Sequence, residues 1–175
     1  MECLPTLLVV AHETMSQDAA MNSAFKPNEN LHQSIYLGLA YGLDVFFIGP
    51  PLLNRGACDL LPKNCVLDLG DSHQLTSHDR YTQALITGIC ASPNAGSWLI
   101  LQSNHPIPSK NTIQQLAYNL SNRSITYLYN AKFKNYSIAF TSEMFSELMQ
   151  LRRKNDIQKL IARYPSVGIE TNAAT

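Results

Sequence analysis

Two polar side chains, Asn104 and His105, stand just after a short apolar segment, residues 97–102. The segment is short and rich in branched and aromatic residues, which favours a central strand of a sheet. Two prolines end this strand, and Ser109 is a residue type that caps the start of a helix. In open α/β sheets, side chains just past the carboxyl end of a strand line the ligand crevice. There an amide oxygen can bind a hard cation, and an imidazole can transfer a proton or bind a metal.

A second candidate pair, His12 and Glu13, follows the first apolar segment, residues 4–11. The same rule for strand ends places this pair in the crevice. The two side chains are suited to metal binding or to acid–base chemistry, and a solvated loop explains them equally well. His105 also has a second interpretation, and a surface histidine is the favoured one.

Two other polar groups have simpler explanations. One stretch contains five histidine and aspartate side chains: Asp68, Asp71, His73, His78 and Asp79. Because one flexible loop without thiols is a weak metal ligand set, the stretch predicts a solvated loop. Three cations, Arg152, Arg153 and Lys154, stand between two predicted helices. They indicate a solvated junction near a helix end, with a docking patch for an acidic partner as the alternative.

Strands and helices alternate along the chain and would position these side chains. Strands are predicted at 4–11, 44–49, 65–69, 97–102, 125–130, 136–140 and 167–170. Helices are predicted at 31–42, from 77 or 78 to 89, and at 109–120, 141–151 and 155–161, with Ser109, Thr141 and Asn155 as caps and an irregular span at 52–63. The alternation predicts a three-layer α/β fold with a largely parallel sheet and an antiparallel excursion near 125–140.

Composition places the chain among globular proteins of balanced charge. Of 175 residues, 45% are apolar and 15% are charged, with 13 basic and 13 acidic side chains. The length predicts one domain over 1–175, and the zero net charge argues against nucleic acid or an anionic membrane as a partner. The four cysteines lack zinc spacing, and no secretory or membrane-spanning segment is visible. Reduced thiols and a cytoplasmic location are therefore expected.

One family has the same order of elements. The stretch 98–116, WLILQSNHPIPSKNTIQQL, has the form of a strand, a polar turn with proline, and a helix. With the segments 81–89, 129–140, 155–161 and 169–171, it resembles the MobA-like nucleotidyltransferases, which attach a guanylyl or cytidylyl group to molybdopterin. The resemblance spans nearly the whole chain. It implies a sheet of the nucleotide-diphospho-sugar transferase type, which is Rossmann-like.

The resemblance also implies roles for particular residues. Asn104 takes the place of the family's magnesium-binding aspartate, and Glu170 that of its closing carboxylate. Lys26 is the cation nearest to the position of the family's phosphate-facing lysine. Together with the histidines at the strand ends, His12 and His105, these residues form the predicted nucleotide site, with magnesium at Asn104 and Glu170.

The chain departs from the family at several of these positions. Residues 11–22 contain no glycine and no arginine where the family has a glycine-rich phosphate loop, and Asn135 and Tyr136 replace its Gly-His pair. The neutral amide of Asn104 is expected to lower magnesium affinity. Two functions are therefore predicted. One is nucleotidyl transfer in molybdenum cofactor metabolism; the other is binding of a nucleotide, a pterin or a protein partner by a catalytically inactive relative.

Overall fold

Seven strands form one sheet in the part of the chain that the computed structural model describes, which is residues 3–11, 27–69, 79–103, 105–131 and 137–171. They are β1 (Thr6–Val10), β2 (Val45–Gly49), β3 (Val66–Asp68), β4 (Ser97–Gln102), β5 (Ile125–Tyr129), β6 (Ser137–Thr141) and β7 (Ser166–Glu170). Each bound lies within two residues of a predicted one. β1 and β4 are buried at every position, as their apolar sequences predict.

The order of strands across the sheet is β3-β2-β1-β4-β6-β5-β7. β6 runs antiparallel to β4 and to β5, and the other neighbouring pairs are parallel. The predicted antiparallel excursion is confirmed. Because the remaining six strands point the same way, their carboxyl ends share one edge of the sheet. We call this the carboxyl edge, and the opposite one the amino edge.

Helices cover both faces of the sheet. The described residues form α1 (Pro27–Ala40), α2 (Pro51–Cys58), α3 (Arg80–Ala91), α4 (Lys110–Leu120), α5 (Phe145–Met149) and α6 (Asp156–Arg163), with 3-10 helices at Lys63–Cys65 and Ser142–Met144. Helices α1, α2 and α4 pack on one face and α3, α5 and α6 on the other, which confirms the three layers. No helix in this part of the chain has the length and apolarity that a bilayer crossing requires.

Several helices differ from the predictions. α1 begins at Pro27 instead of 31, and α3 begins at Arg80 instead of 77 or 78. Residues 51–58 form α2, which overlaps the span predicted to be irregular. Pro51 occupies its first turn, where a missing backbone N–H costs nothing, so the proline pair that ends β2 also begins a helix. The helix predicted over 141–151 is instead a 3-10 turn followed by the short α5.

The caps agree with the sequence at one of three positions. The Ser109 hydroxyl accepts a hydrogen bond from the Thr112 amide (3.2 Å), as predicted. Thr141 and Asn155 make no side-chain capping bond, so both predictions are wrong. Thr141 has extended backbone angles at the start of the 3-10 helix but makes no capping bond, whereas Asn155 has helical backbone angles that are unlike those of a capping residue.

One crossover has an unusual hand. From β3 to β4, and again from β4 to β5, the chain moves in the same direction across the sheet. Yet α3 packs on one face and α4 on the other, so these two connections have opposite hands. The β1–β2 and β2–β3 connections run through α1 and α2, which lie on the same face as α4, but they move in the opposite direction across the sheet. They therefore have the same hand as the connection through α3. Parallel crossovers are nearly always right-handed, which makes the one through α4 the exception.

Gly168 in β7 lies directly opposite Tyr127 of β5. A Cβ added at Gly168 would stand 2.7 Å from Cε2 and 2.9 Å from Cζ of the Tyr127 ring. We expect G168A to lower the free energy of unfolding by about 1–3 kcal/mol, because a rigid ring must move to admit the methyl group. Urea denaturation measures the change. G96A is the matched control, because a Cβ at Gly96 meets nothing within 4 Å. Equal losses in the two variants would contradict the close contact.

Candidate functional site

The carboxyl edge brings together the ends of the two central strands. Val10 of β1 and Gln102 of β4 are paired, and the Ser103 amide donates to the Val10 carbonyl (2.9 Å). On the other side, the Ala11 amide donates to the Ile48 carbonyl (2.9 Å). The segments that leave β1 and β4 therefore start from adjacent points, as the sequence predicts for residues that share a crevice.

His105 is buried at this edge, with 9% of its surface exposed. Its amide donates to the Gln102 carbonyl (2.9 Å), which closes a tight turn directly after β4. The turn folds back onto the strand and takes the imidazole out of solvent. The expectation of a surface histidine is therefore wrong, and His105 stays a candidate site residue.

Several predicted site residues lie outside the described residues. They are His12, Glu13, Lys26 and Asn104, together with Asp71, His73, Ser77, His78, Asn135 and Tyr136. The residues that flank the most important of these are described: Ala11 before His12, and Ser103 and His105 on either side of Asn104.

Glu170, the predicted second metal ligand, is the last residue of β7 and is exposed at the carboxyl edge. It pairs with Tyr129 at the end of β5, and the Thr171 amide donates to the Tyr129 carbonyl (2.9 Å). Two strands lie between β7 and β4, so about 14 Å separate their backbones at the usual strand spacing. Glu170 therefore lies at the same edge of the sheet as the carboxyl end of β4.

A basic loop, residues 151–155, is anchored on the same side of the molecule by Asp79. One carboxylate oxygen of Asp79 accepts from the Thr82 amide (2.8 Å) and caps α3. The other accepts from the Lys154 amide (2.6 Å), and the Asp79 amide donates to the Arg152 carbonyl (2.9 Å). Since α3 leads from β3 back to the start of β4, its first residue lies toward the carboxyl edge.

The cationic side chains of the basic loop are exposed, while its backbone is held in place. Asp156 accepts from the amides of Arg152 and Arg153 (both 3.1 Å), and these bonds, with the Lys159 ammonium at 3.3 Å, hold the pKa of its carboxyl below the usual range. The Lys154 ammonium lies 5.1 Å from the centre of the Tyr81 ring, a cation–π distance. Burial, followed by the nearby Asp79 charge, raises the pKa of Tyr81, which keeps this ring neutral.

The sequence did not indicate where the basic loop lies in the fold. It predicted a solvated junction at Arg152, Arg153 and Lys154, and these side chains are indeed exposed. The contact that places them depends on Asp79, which is 75 residues away along the chain. A run of three cations before a helix is the sequence feature that could have indicated an anion site. Only the fold shows where this run lies relative to the strand ends.

Metal ligands are sparse in this region. Among the described residues, no group of three or more His, Cys, Asp or Glu side chains is placed to hold a metal ion. A magnesium ion usually keeps several waters and binds one or two carboxylates together with substrate phosphates. Among the predicted metal ligands, Glu170 offers a carboxylate of the kind that such an ion binds, and Asn104 lies outside the described residues.

Comparison with known proteins identifies the fold. No protein-family model and no curated protein matches the sequence. Rv0371c from Mycobacterium tuberculosis H37Rv, solved in complex with manganese, matches with a TM-score of 0.68 at 14% identity, over 98% of this chain and 90% of that one. The 4-diphosphocytidyl-2C-methyl-D-erythritol synthase of Anaerococcus prevotii DSM 20548 matches with a TM-score of 0.68 at 10% identity, over 98% and 88%.

A third structure, the CMP:2-keto-3-deoxy-manno-octonic acid synthetase complexed with CTP, has a TM-score of 0.63 at 9% identity, over 96% of this chain and 90% of that one. The fold is thus the α/β fold of the nucleotide-diphospho-sugar transferases, as the sequence implied. At these identities the likeness shows the fold alone, and activity has to be argued from the site.

Proposed function

We propose that the protein binds a nucleoside triphosphate at the carboxyl edge and transfers its nucleotidyl group to a phosphorylated pterin in molybdenum cofactor metabolism. The observation that carries the proposal is the basic loop, which Asp79 anchors beside the strand ends of this fold. Transfer at phosphorus is catalysed mainly by positioning and by neutralising charge. Arg152, Arg153 and Lys154 supply positive charge that residues 11–22 lack.

In the proposed reaction, an oxygen of the acceptor phosphate attacks the α-phosphorus of the nucleotide. The bond from that phosphorus to the bridging oxygen of the β-phosphate breaks, and pyrophosphate leaves. Lys26 and the basic loop face the phosphates, while His12 and His105 line the base or ribose side of the site. A divalent cation at Asn104 and Glu170 would neutralise the phosphate charge and align the two reacting groups.

A second candidate function is binding without transfer, in an accessory protein for a nucleotide, a pterin or a protein partner. The observation that favours it is the neutral Asn104 at the position that the resemblance gives to a magnesium-binding aspartate. An amide brings no charge to the ion, so metal affinity and transition-state stabilisation both fall. Loss of the glycine-rich loop acts in the same direction, since its backbone would otherwise approach the triphosphate.

Thermal-shift titration with GTP, CTP and ATP, each with and without magnesium or manganese, tests the binding proposal. Stabilisation by one nucleotide that requires the cation is the expected result, because a ligand that binds only the folded state raises the melting temperature. The absence of a shift with all three would contradict it and leave the partner-binding candidate. Pyrophosphate release from the stabilising nucleotide in the presence of molybdopterin then separates transfer from binding.

The substitution N104D tests the metal site. We expect about tenfold tighter manganese binding, because the new carboxylate adds a charge to the ion's ligands. Electron paramagnetic resonance of free manganese measures the affinity. N122D is the matched control, since Asn122 follows α4 at the amino edge and undergoes the same change of charge. If N104D and N122D bind manganese equally, the proposed ligand role of Asn104 is wrong.

The cytoplasm is the proposed location. All four cysteines, Cys3, Cys58, Cys65 and Cys90, are free thiols, and three of them are exposed. Free thiols persist in compartments that keep glutathione reduced. Cys90 is one of the exposed cysteines, and its sulfur lies 3.7 Å from the Met149 sulfur.

A further inference from the structure

A separate cavity opens at the amino edge of the sheet. It has a volume of about 430 Å³, within the usual range for small-molecule sites. Its apolar walls come from the end of α1, the start of β2, the turn before β3 and the turn that leads into β4: Leu39, Leu43, Phe46, Leu61, Pro62 and Pro93. We call it the amino-edge cavity. Because it lies a full strand length from the carboxyl edge, it is independent of the proposed nucleotide site.

Asp44 supplies the charge of this cavity. Among the residues that line it, Asp44 alone carries an ionised side chain, and the remaining polar groups are hydroxyls, an amide and the Cys65 thiol. Burial, followed by the Asp44 charge, raises the pKa of Cys65, so this thiol stays neutral. The Asp44 carboxylate forms no ion pair or hydrogen bond with the described part of the chain. Its exposed side chain thus presents a negative charge beside an apolar surface.

The backbone fixes this arrangement. Gly42 has a φ of +84°, a conformation that suits glycine and ends α1 in a sharp turn. After the turn, the Leu43 amide donates to the Gly38 carbonyl (3.0 Å), and the Asp44 carbonyl accepts from the Leu7 amide (2.8 Å). Leu43 is consequently buried while Asp44 stays at the mouth.

We propose that the amino-edge cavity binds a small organic cation, an apolar group that carries one ammonium, with Asp44 as its counter-ion. The apolar walls account for the body of the ligand and the single carboxylate for its charge. A neutral analogue keeps the apolar contacts but loses the ion pair, and an anionic analogue is repelled. The cation should therefore bind most tightly, the neutral analogue less tightly, and the anionic analogue most weakly.

Calorimetric titration with phenethylamine, 2-phenylethanol and phenylacetate tests this ranking. Because the pair is partly exposed, we expect the amine to bind about three- to fivefold more tightly than the alcohol, and the acid to bind weakest. D44N should remove the advantage of the amine. D59N is the matched control, since Asp59 is an exposed carboxylate at the end of α2 and does not line the cavity.

Alkylation of Cys65 supplies a second measurement that locates the ligand. In a variant that carries C3S, C58S and C90S, Cys65 is the single remaining thiol. Saturating phenethylamine should slow its reaction with iodoacetamide, and phenylacetate should not. The proposal is overturned if the folded protein binds none of the three compounds, if the amine and the alcohol bind equally, or if bound amine leaves the alkylation rate unchanged. None of these outcomes affects the nucleotide proposal.

Discussion

Replacing Trp98 with alanine is expected to lower the free energy of unfolding by about 3–5 kcal/mol. Trp98 is 1% exposed and heads the set of fully buried side chains by volume. It belongs to β4, where it is paired with Thr6 of β1 and Phe140 of β6. Its indole N–H donates to the Ser92 hydroxyl (3.0 Å), which ties the strand to the turn that precedes it. The variant therefore loses core contacts together with the hydrogen bond from the indole to Ser92.

Two further variants separate the contributions to this loss. W98F keeps an aromatic ring and removes the N–H donor, so we expect a smaller loss of about 1–2 kcal/mol. Y118A removes an aromatic ring that is 61% exposed and should change stability by no more than about 0.5 kcal/mol. Urea denaturation measures all three. A loss for W98A as small as that for Y118A would show that Trp98 does not hold the core together.

Replacing Asp79 with alanine is expected to lower the free energy of unfolding by about 2–3 kcal/mol and to weaken nucleotide binding as well. The stability loss combines a helix cap, worth about 1 kcal/mol, with a charge-assisted bond to the Lys154 amide, worth about 1.5 kcal/mol. Binding weakens because the basic loop loses its anchor on α3. Its cations then have to be ordered when the nucleotide binds, and that ordering costs affinity.

Hydrogen exchange locates this effect. In D79A the amides of Thr82 and Lys154 should exchange faster than in the wild type, because both donate to the missing carboxylate. E143A is the control, since Glu143 is an exposed acid at the amino edge. Unchanged nucleotide affinity together with the expected stability loss would separate Asp79 from the proposed site. Unchanged exchange at Lys154 would contradict the anchor itself.

Local patterns in the sequence were sufficient for the strands and for most of the helices, although they missed α2. The apolar runs of β1 and β4 predicted buried central strands because residues covered on both faces cannot alternate with polar ones. Ser109 predicted the start of α4 because its hydroxyl satisfies an amide within the next turn. The side-chain caps predicted at Thr141 and Asn155 do not form, which shows that a residue type permits a cap without ensuring one.

The candidate site depended on contacts that no local pattern contains. The sequence placed Asn104 and His105 after a strand and Glu170 at the end of the chain's last strand, and the sheet order then put two strands between them. The sequence favoured a surface position for His105, whereas this residue is buried in the turn after β4.

By itself, then, the sequence determined where the seven strands and most of the helices lie, and which strand ends carry polar side chains, but it missed α2 and overextended α5. Only the tertiary structure decided that Asp79 holds the loop of Arg152 and Lys154, that α4 crosses with the exceptional hand, and that Asp44 stands over an apolar cavity. The physical reason is the distance along the chain over which each kind of interaction acts. Capping and burial patterns act within a few residues, while the sheet order and packing that build these sites join residues that the chain keeps far apart.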